Sequence, residues 1–334
     1  MSKSGLRASR LRRSREDSPG VASVKRITVL APTAPDVESR AQAEINELGR
    51  QRARALLGWL NDQEAAQLLL GRNPTPKDDL RNIQTKVATY RMTVASRPPY
   101  RQENAVVTGL EEDRLMAVAA RPEVQANFAR LRWQPAMVDL ERLLSFQKVV
   151  VIEGLEERLG STPPSIDELF ELCLPLHQPA PPASALTDPD AKGFTVSSLN
   201  PNLRLFPAQV GEAQVSPAPG QAPVPMQALT FLVYMGTSYL QVASYRERYF
   251  VRDGNHRVVG LLRLGIKTAP CVLIEARSFD EVAPLPGALS YEILFGDRPP
   301  RVADFWADDV AAEITGYAFR KVVRVRGEEF VVPR

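Results

Sequence analysis

Histidine and cysteine are both scarce in this chain of 334 residues, which holds two of each. Cys173 and Cys271 lie far apart, each beside apolar residues, so neither a disulfide framework nor a paired Cys-x-x-Cys metal site is expected, and a reducing, cytoplasmic setting fits. No apolar run reaches the ~18 residues a membrane helix needs. The first charges are not followed by the apolar stretch of a signal peptide. There is no internal repeat, Walker loop, His-Glu-x-x-His pair or Gly-x-Ser-x-Gly elbow. Zinc ribbons, P-loop nucleotide hydrolases, zincins and α/β-hydrolases are thereby set aside.

The net charge of +3 is unevenly placed. Residues 1–26 carry eight basic side chains against Glu16 and Asp17, which leaves the body of the chain mildly acidic. Ser, Gly and Arg with few large apolar residues mark 1–26 as a disordered basic tail. Such a tail either adds non-specific affinity for nucleic-acid phosphates or only keeps the terminus soluble.

Residues 27–132 read as a helical region. Val37 to Gly71 suggests two helices: Ile45, Leu48, Leu56, Trp59 and Leu60 form a broken apolar face, and Asn61 with Glu64 makes a capping box for the second. Thr75-Pro76 is expected to open the next helix, in which Leu80, Ile83, Val87, Tyr90 and Val94 form one stripe. Leu110–Ala120 and Pro122–Arg132 complete the set. A helix-turn-helix over Asp62–Arg91 fits less well than a plain bundle, because Asp78 and Asp79 would face the phosphates.

After Trp133 the texture changes. Val149–Ile152 fits a strand or a helix, and Ser165 with Glu168 marks a helix start. Residues 175–226 are broken by prolines and read as a long insertion with at most a short strand such as Leu203–Phe206; His177 lies in it. Leu229–Tyr234 and Tyr239–Ser244 read as strands, and Arg246-Glu247 as a bend. Beyond residue 276, helices are expected at Ser278 and over Val302–Ile314, then a hairpin turning at Arg326-Gly327.

The densest polar signal lies between two apolar segments. Tyr249–Val251 reads as a strand, Asp253-Gly254 as a tight turn, Val258–Leu264 as a buried helix ended by Gly265, and Ala269–Ile274 as a buried strand. A strand passing through glycine into a helix N-terminus leaves several amides aimed at one point, where the helix dipole favours negative charge. Gly254 allows close backbone approach, Asp253 or Asn255 suits the cap, His256 offers two ring nitrogens, and Arg257 suits a phosphate fork. Alternation puts Arg248 and Arg252 on one strand face, where they either add to an anion field or form a solvated edge. Asp-Gly and Asn are also ordinary turn residues, so an unspecialised bend accounts for the same letters.

The run FVRDGNHRVVGLLRLGIKTAPCVLI, Phe250 to Ile274, resembles the phosphate-binding segment of the ParB/sulfiredoxin-like superfamily, and Ala136–Gln147 more weakly resembles the opening strand and short helix of ParB-like domains. The resemblance implies an α+β protein: a helical N-terminal region, a small mixed-sheet domain over 133–276 carrying the 175–226 insertion, and C-terminal helices and a hairpin over 277–334. It implies a nucleotide, ATP or CTP in character, held through Gly254, Asn255, His256 and Arg257, with Asp253 on Mg²⁺ or a proton and Asp253 and His256 as the catalytic candidates. Members differ at the turn: sulfiredoxin chemistry uses a Cys between the Gly and the His, where this chain has Asn255, and ParB proteins place Glu-Arg-Arg after the Gly. Three functions stay open on this reading. They are nucleotide binding with or without hydrolysis or transfer of the terminal phosphate, DNA binding or nuclease action using the same turn plus the basic tail, and a non-catalytic adaptor role.

Overall fold

The computed structural model describes residues 50–176, 185–187, 193–198, 202–206, 209–215, 222–282, 288–317 and 321–327. The fold class is α+β, and its first described element is a strand. β1 (Arg50–Ala55) is followed by a 3₁₀ turn at Leu57–Trp59, α1 (Asp62–Leu70), α2 (Leu80–Ser96), β2 (Val106–Val107), α3 (Glu112–Ala119) and α4 (Pro122–Phe128). Then come β3 (Trp133–Asp139), β4 (Val149–Val151), α5 (Leu155–Leu159) and α6 (Ile166–Cys173).

Of the two helices expected over Val37 to Gly71, the first gives way to β1 and a 3₁₀ turn where the chain is described, and its part before residue 50 lies outside the described residues. Within the alternating Arg and Ala of this segment, Ala53 and Ala55 are buried, and β1 pairs antiparallel with Ala312–Tyr317 from the far end of the chain and with β4. Long-range pairing of this kind overrides local helical preference. The second helix of that region stands, and the Asn61–Glu64 capping box is formed in both directions. Thr75 does not start α2. Its amide and hydroxyl both donate to Asp78, and Asp79 caps the helix three residues before Asn82. The expected stripe holds, with Val87 and Val94 buried and Ile83 and Tyr90 packed beside them.

The proline-rich insertion contains more strand than its composition suggested. β5 (Ala185–Thr187), β6 (Gly193–Ser198), β7 (Leu203–Leu205) and β8 (Gln209–Val215) lie in it, and β9 (Val224–Thr230) starts at its end. β10 (Val233–Met235) pairs with β7, and β8 pairs with β9. The segment Leu229–Ser244 is therefore no simple hairpin. β11 (Gln241–Tyr245) turns instead into β12 (Arg248–Asp253) through Arg246 and Glu247, whose φ values of 48° and 62° supply a two-residue turn without glycine.

α7 (Asn255–Arg263) and β13 (Thr268–Glu275) follow. The expected glycine stop is present: Gly265 has φ of 78°, its amide donates to the Leu262 carbonyl, and the Ile266 amide donates to that of Leu261. Beyond α8 (Phe279–Val282) and α9 (Tyr291–Phe295), the expected helix over Val302–Ile314 is a 3₁₀ turn at Val302–Trp306 and then β14 (Ala312–Tyr317). β15 (Lys321–Arg326) pairs antiparallel with β6; the return strand expected at Glu328–Val332 lies outside the described residues, as do His177 and the basic tail.

The central sheet runs β12-β11-β13-β3-β2 and is mixed, antiparallel except between β11 and β13. The parallel pair β11 and β13 demands a crossover, and the chain makes it through β12 and α7. β13 carries buried residues from Ala269 to Ile274 and sits between β11 and β3, with α6 packed on it. Buried Cys173 and Cys271 are free thiols in this core. Among the described residues, no helix is long and apolar enough to cross a membrane.

Candidate anion-binding corner

Three forces set the corner between β12 and α7. Phe250 and Val251 are fully buried and fix the end of β12. Val258, Val259 and Leu261 are fully buried and fix the inner face of α7. Gly260 lets α7 close onto α5, where a Cβ would come within 2.1 Å of Leu159 Cδ1. The chain must pivot between these anchors, and it does so at Gly254, with φ of 96°. That conformation suits glycine, and an added Cβ would also come within 2.9 Å of Leu240 Cδ1.

Gly254 occupies the N-cap and has no side chain to offer, so the amides of the first turn of α7 receive no side-chain cap from it. Asn255, a candidate for capping or for phosphate, is turned inward: it is 2% exposed, its Nδ2 donates to the Val251 carbonyl at 3.3 Å, and its Oδ1 accepts from Ser145 Oγ at 3.4 Å. What it presents to the corner is its backbone.

Arg257 supplies the charge. Its Nη2 donates to the Ser238 carbonyl at 3.0 Å and to Ser238 Oγ at 3.3 Å. Its Nη1 is buried without a hydrogen-bond partner among the described residues, and lies 3.7 Å from where a Gly254 Cβ would sit. A buried guanidinium N–H without an acceptor is costly, so this nitrogen marks a place where a negative oxygen would be stabilised. Burial lowers the Arg257 pKa, opposed by Cys173 and Asp253, yet a guanidinium keeps its charge throughout the working pH range.

Asp253 is the resident anion. Burial pushes its carboxyl up, against the opposing pull of Arg257, the Gly254 amide, Arg204 and Arg252. Burial also pushes His256 down to about 4, helped by Arg158, so its imidazole is neutral near pH 7. In that state it offers one donor and one acceptor and holds no spare proton.

The structure thus brings Asp253, Gly254, Asn255, His256 and Arg257 together, and it directs Arg248 and Arg252 elsewhere. Arg248 donates to the carbonyls of Leu294, Phe295 and Gly296 and lies over the rings of Tyr100 and Phe295. Arg252 donates to the Glu281 carbonyl and to Gln241 Oε1. Arg252 still acts on Asp253 through space, whereas Arg248 closes the end of α9. Ser238, Ser145, Arg204 and Leu240 shape the corner from distant segments, and nothing in their local sequence announces it. Among the described residues, no three His, Cys, Asp or Glu side chains are grouped to hold a metal ion. No protein-family model, curated protein or solved structure matches the chain.

Proposed function

We propose that the corner at residues 253–257 binds the phosphate of a nucleotide, as the resemblance to the ParB/sulfiredoxin-like superfamily implies. The observation that carries the reading is Arg257 Nη1, a buried cationic donor with no partner, beside a left-handed glycine at a helix N-terminus. The backbone amides of Asn255, His256 and Arg257 and the Arg257 fork supply the donors, and Gly254 lets the phosphate approach the chain. Nη1 is closed off from solvent, so engagement requires Arg257 to exchange Ser238 for the ligand or the cover above it to move. Magnesium would arrive on the phosphates, because Asp253 stands among three guanidinium groups and not within a cage of oxygen ligands.

Should the terminal phosphate be hydrolysed or transferred, Asp253 is the group suited to accept a proton, since burial has raised its affinity for one. Neutral His256 then serves as a hydrogen-bond donor to a phosphate oxygen. The test is a thermal-melt panel of ATP, ADP, CTP and GTP, each with Mg²⁺, on wild type and Arg257→Ala. A rise of several degrees with one or more nucleotides that disappears in the variant supports the reading. Equal melting temperatures for wild type with every nucleotide and with none reject it.

A further inference from the structure

A second cationic site lies at the other end of β12, where two Arg-Pro-Pro segments, Arg97-Pro98-Pro99 and Arg298-Pro299-Pro300, run side by side. Each proline fixes its own φ and holds the arginine before it extended, so both backbones are stiff before any contact forms. The segments are then tied together: the Tyr100 amide donates to the Asp297 carbonyl, Arg298 Nε to the Arg97 carbonyl at 2.7 Å, and Trp59 Nε1 to the Arg298 carbonyl at 2.6 Å. Between them opens a cleft of about 420 Å³, within the ~300–1,000 Å³ typical of ligand sites.

Four arginines line this cleft, Arg97, Arg101, Arg298 and Arg301, against two carboxylates, Asp304 and Glu103. Asp304 is already committed, to Arg97 at 2.8 Å and to the Arg301 amide at 2.7 Å. Glu103 is only loosely engaged, 3.8 Å from Arg301 and 3.7 Å from Arg142. Arg101 has no partner among the described residues, and Arg298 uses only its Nε. The cleft therefore holds more positive charge than its own carboxylates neutralise.

The aromatic rings are occupied. Arg97 lies over Trp59 at 5.6 Å, and Arg248 and Arg301 lie over Tyr100 at 4.7 and 6.0 Å. The rings hold the guanidinium planes in place and are not arranged as platforms for stacking a base. A ligand held here is recognised by its charge, through Arg298 and Arg301, which their contacts hold in place, and through the exposed Arg101.

We propose that this cleft binds a chain of phosphates, at a site separate from the corner at residues 253–257. A phosphate presents three oxygens about one centre and accepts forks from more than one arginine, and a chain of phosphates offers acceptors to Arg101, Arg298 and Arg301 together, which a lone carboxylate cannot. Two sources share this chemistry, a free polyphosphate and the backbone of a single-stranded nucleic acid.

The experiment titrates wild type, Arg101→Glu, Arg101→Ala and Arg257→Ala with inorganic tripolyphosphate by calorimetry. The same four proteins are titrated with a labelled thymidine oligonucleotide by anisotropy over a salt series. Arg101 is exposed and unpartnered, so its variants keep the fold. Tripolyphosphate binding that Arg101→Glu weakens at least about tenfold and Arg257→Ala leaves unchanged establishes the cleft. If the oligonucleotide also binds, a strand is the source, and Arg101→Ala lowers the salt slope by about 0.7. If only tripolyphosphate binds, the source is a free phosphate chain. Absence of binding by both probes, equal binding by wild type and Arg101→Glu, or loss in Arg257→Ala alone overturns the proposal.

Discussion

Arg257 reaches from the first turn of α7 to the Ser238 carbonyl, 3.0 Å from Nη2, and this single anchor leaves its other terminal nitrogen buried beside Gly254 with no acceptor. Ser238 belongs to the segment entering β11, the strand that pairs with β12. The guanidinium is thus tethered to the sheet on one side and uncommitted on the other. The proposed role as a receptor for oxygen anions, as against an ordinary bend, rests on this half-satisfied geometry.

Gly254→Ala is expected to destabilise the protein by about 1–3 kcal/mol, because a non-glycine residue must hold a left-handed conformation. Its Cβ must also displace Leu240 Cδ1, 2.9 Å away. Urea denaturation measures the loss. A change below about 0.5 kcal/mol would mean that the turn relaxes freely and the pivot is not fixed by Gly254.

Gly260→Ala separates packing from binding. A Cβ there overlaps Leu159 Cδ1 at 2.1 Å, so either the Leu159 side chain turns away or α5 and α7 part slightly. The expected cost is about 1–3 kcal/mol, set against a gain in helix propensity of up to ~1 kcal/mol. Nucleotide affinity measured well below the melting temperature should stay unchanged. A parallel loss of affinity would show that the position of the whole helix, and not its first turn alone, controls the site.

Acid should act through His256. Its folded pKa is about 4 against an ordinary 6.5, so between those values the unfolded chain binds more protons than the folded one. Stability from this residue is complete above pH 6.5 and falls as pH drops toward 4, by an amount on the order of 2 kcal/mol allowing for partial exposure. Urea midpoints for wild type and His256→Gln should therefore converge or cross on acidification, the variant losing less. Identical pH dependence in the two proteins would place His256 in a solvated setting.

Arg248→Ala should lower stability by about 1–3 kcal/mol, since it strips donors from three carbonyls at the end of α9. It should leave nucleotide affinity unaltered. Denaturation and a nucleotide titration of the same preparation check both halves. Lost affinity without lost stability would return Arg248 to the anion field.

Features encoded within a few residues were legible in the sequence. The capping boxes Asn61–Glu64 and Ser165–Glu168, the Gly265 stop and the turn at Gly254 each depend on neighbours, and each is formed. β1 was hidden because its partner β14 lies at the opposite end of the chain, and β6 was hidden among prolines because its partner β15 is also remote in sequence. The corner was legible as a set of residue types, whereas its wiring was not. Alternation put Arg248 and Arg252 on one face, but only the packing of α8 and α9 showed that their forks are used on carbonyls. Asn255 looked like a ligand contact until Ser145 and the Val251 carbonyl claimed its side chain.

The most direct test follows the corner itself by nuclear magnetic resonance, recording the amides of Gly254 to Arg257 and the Arg257 side-chain nitrogens while pyrophosphate and then ATP are added. The account predicts saturable shifts at these amides and at the Arg257 guanidinium, all with one dissociation constant, and their loss in Arg257→Ala. Ligand-induced shifts confined to other parts of the protein, with these signals unmoved at saturation, would contradict it.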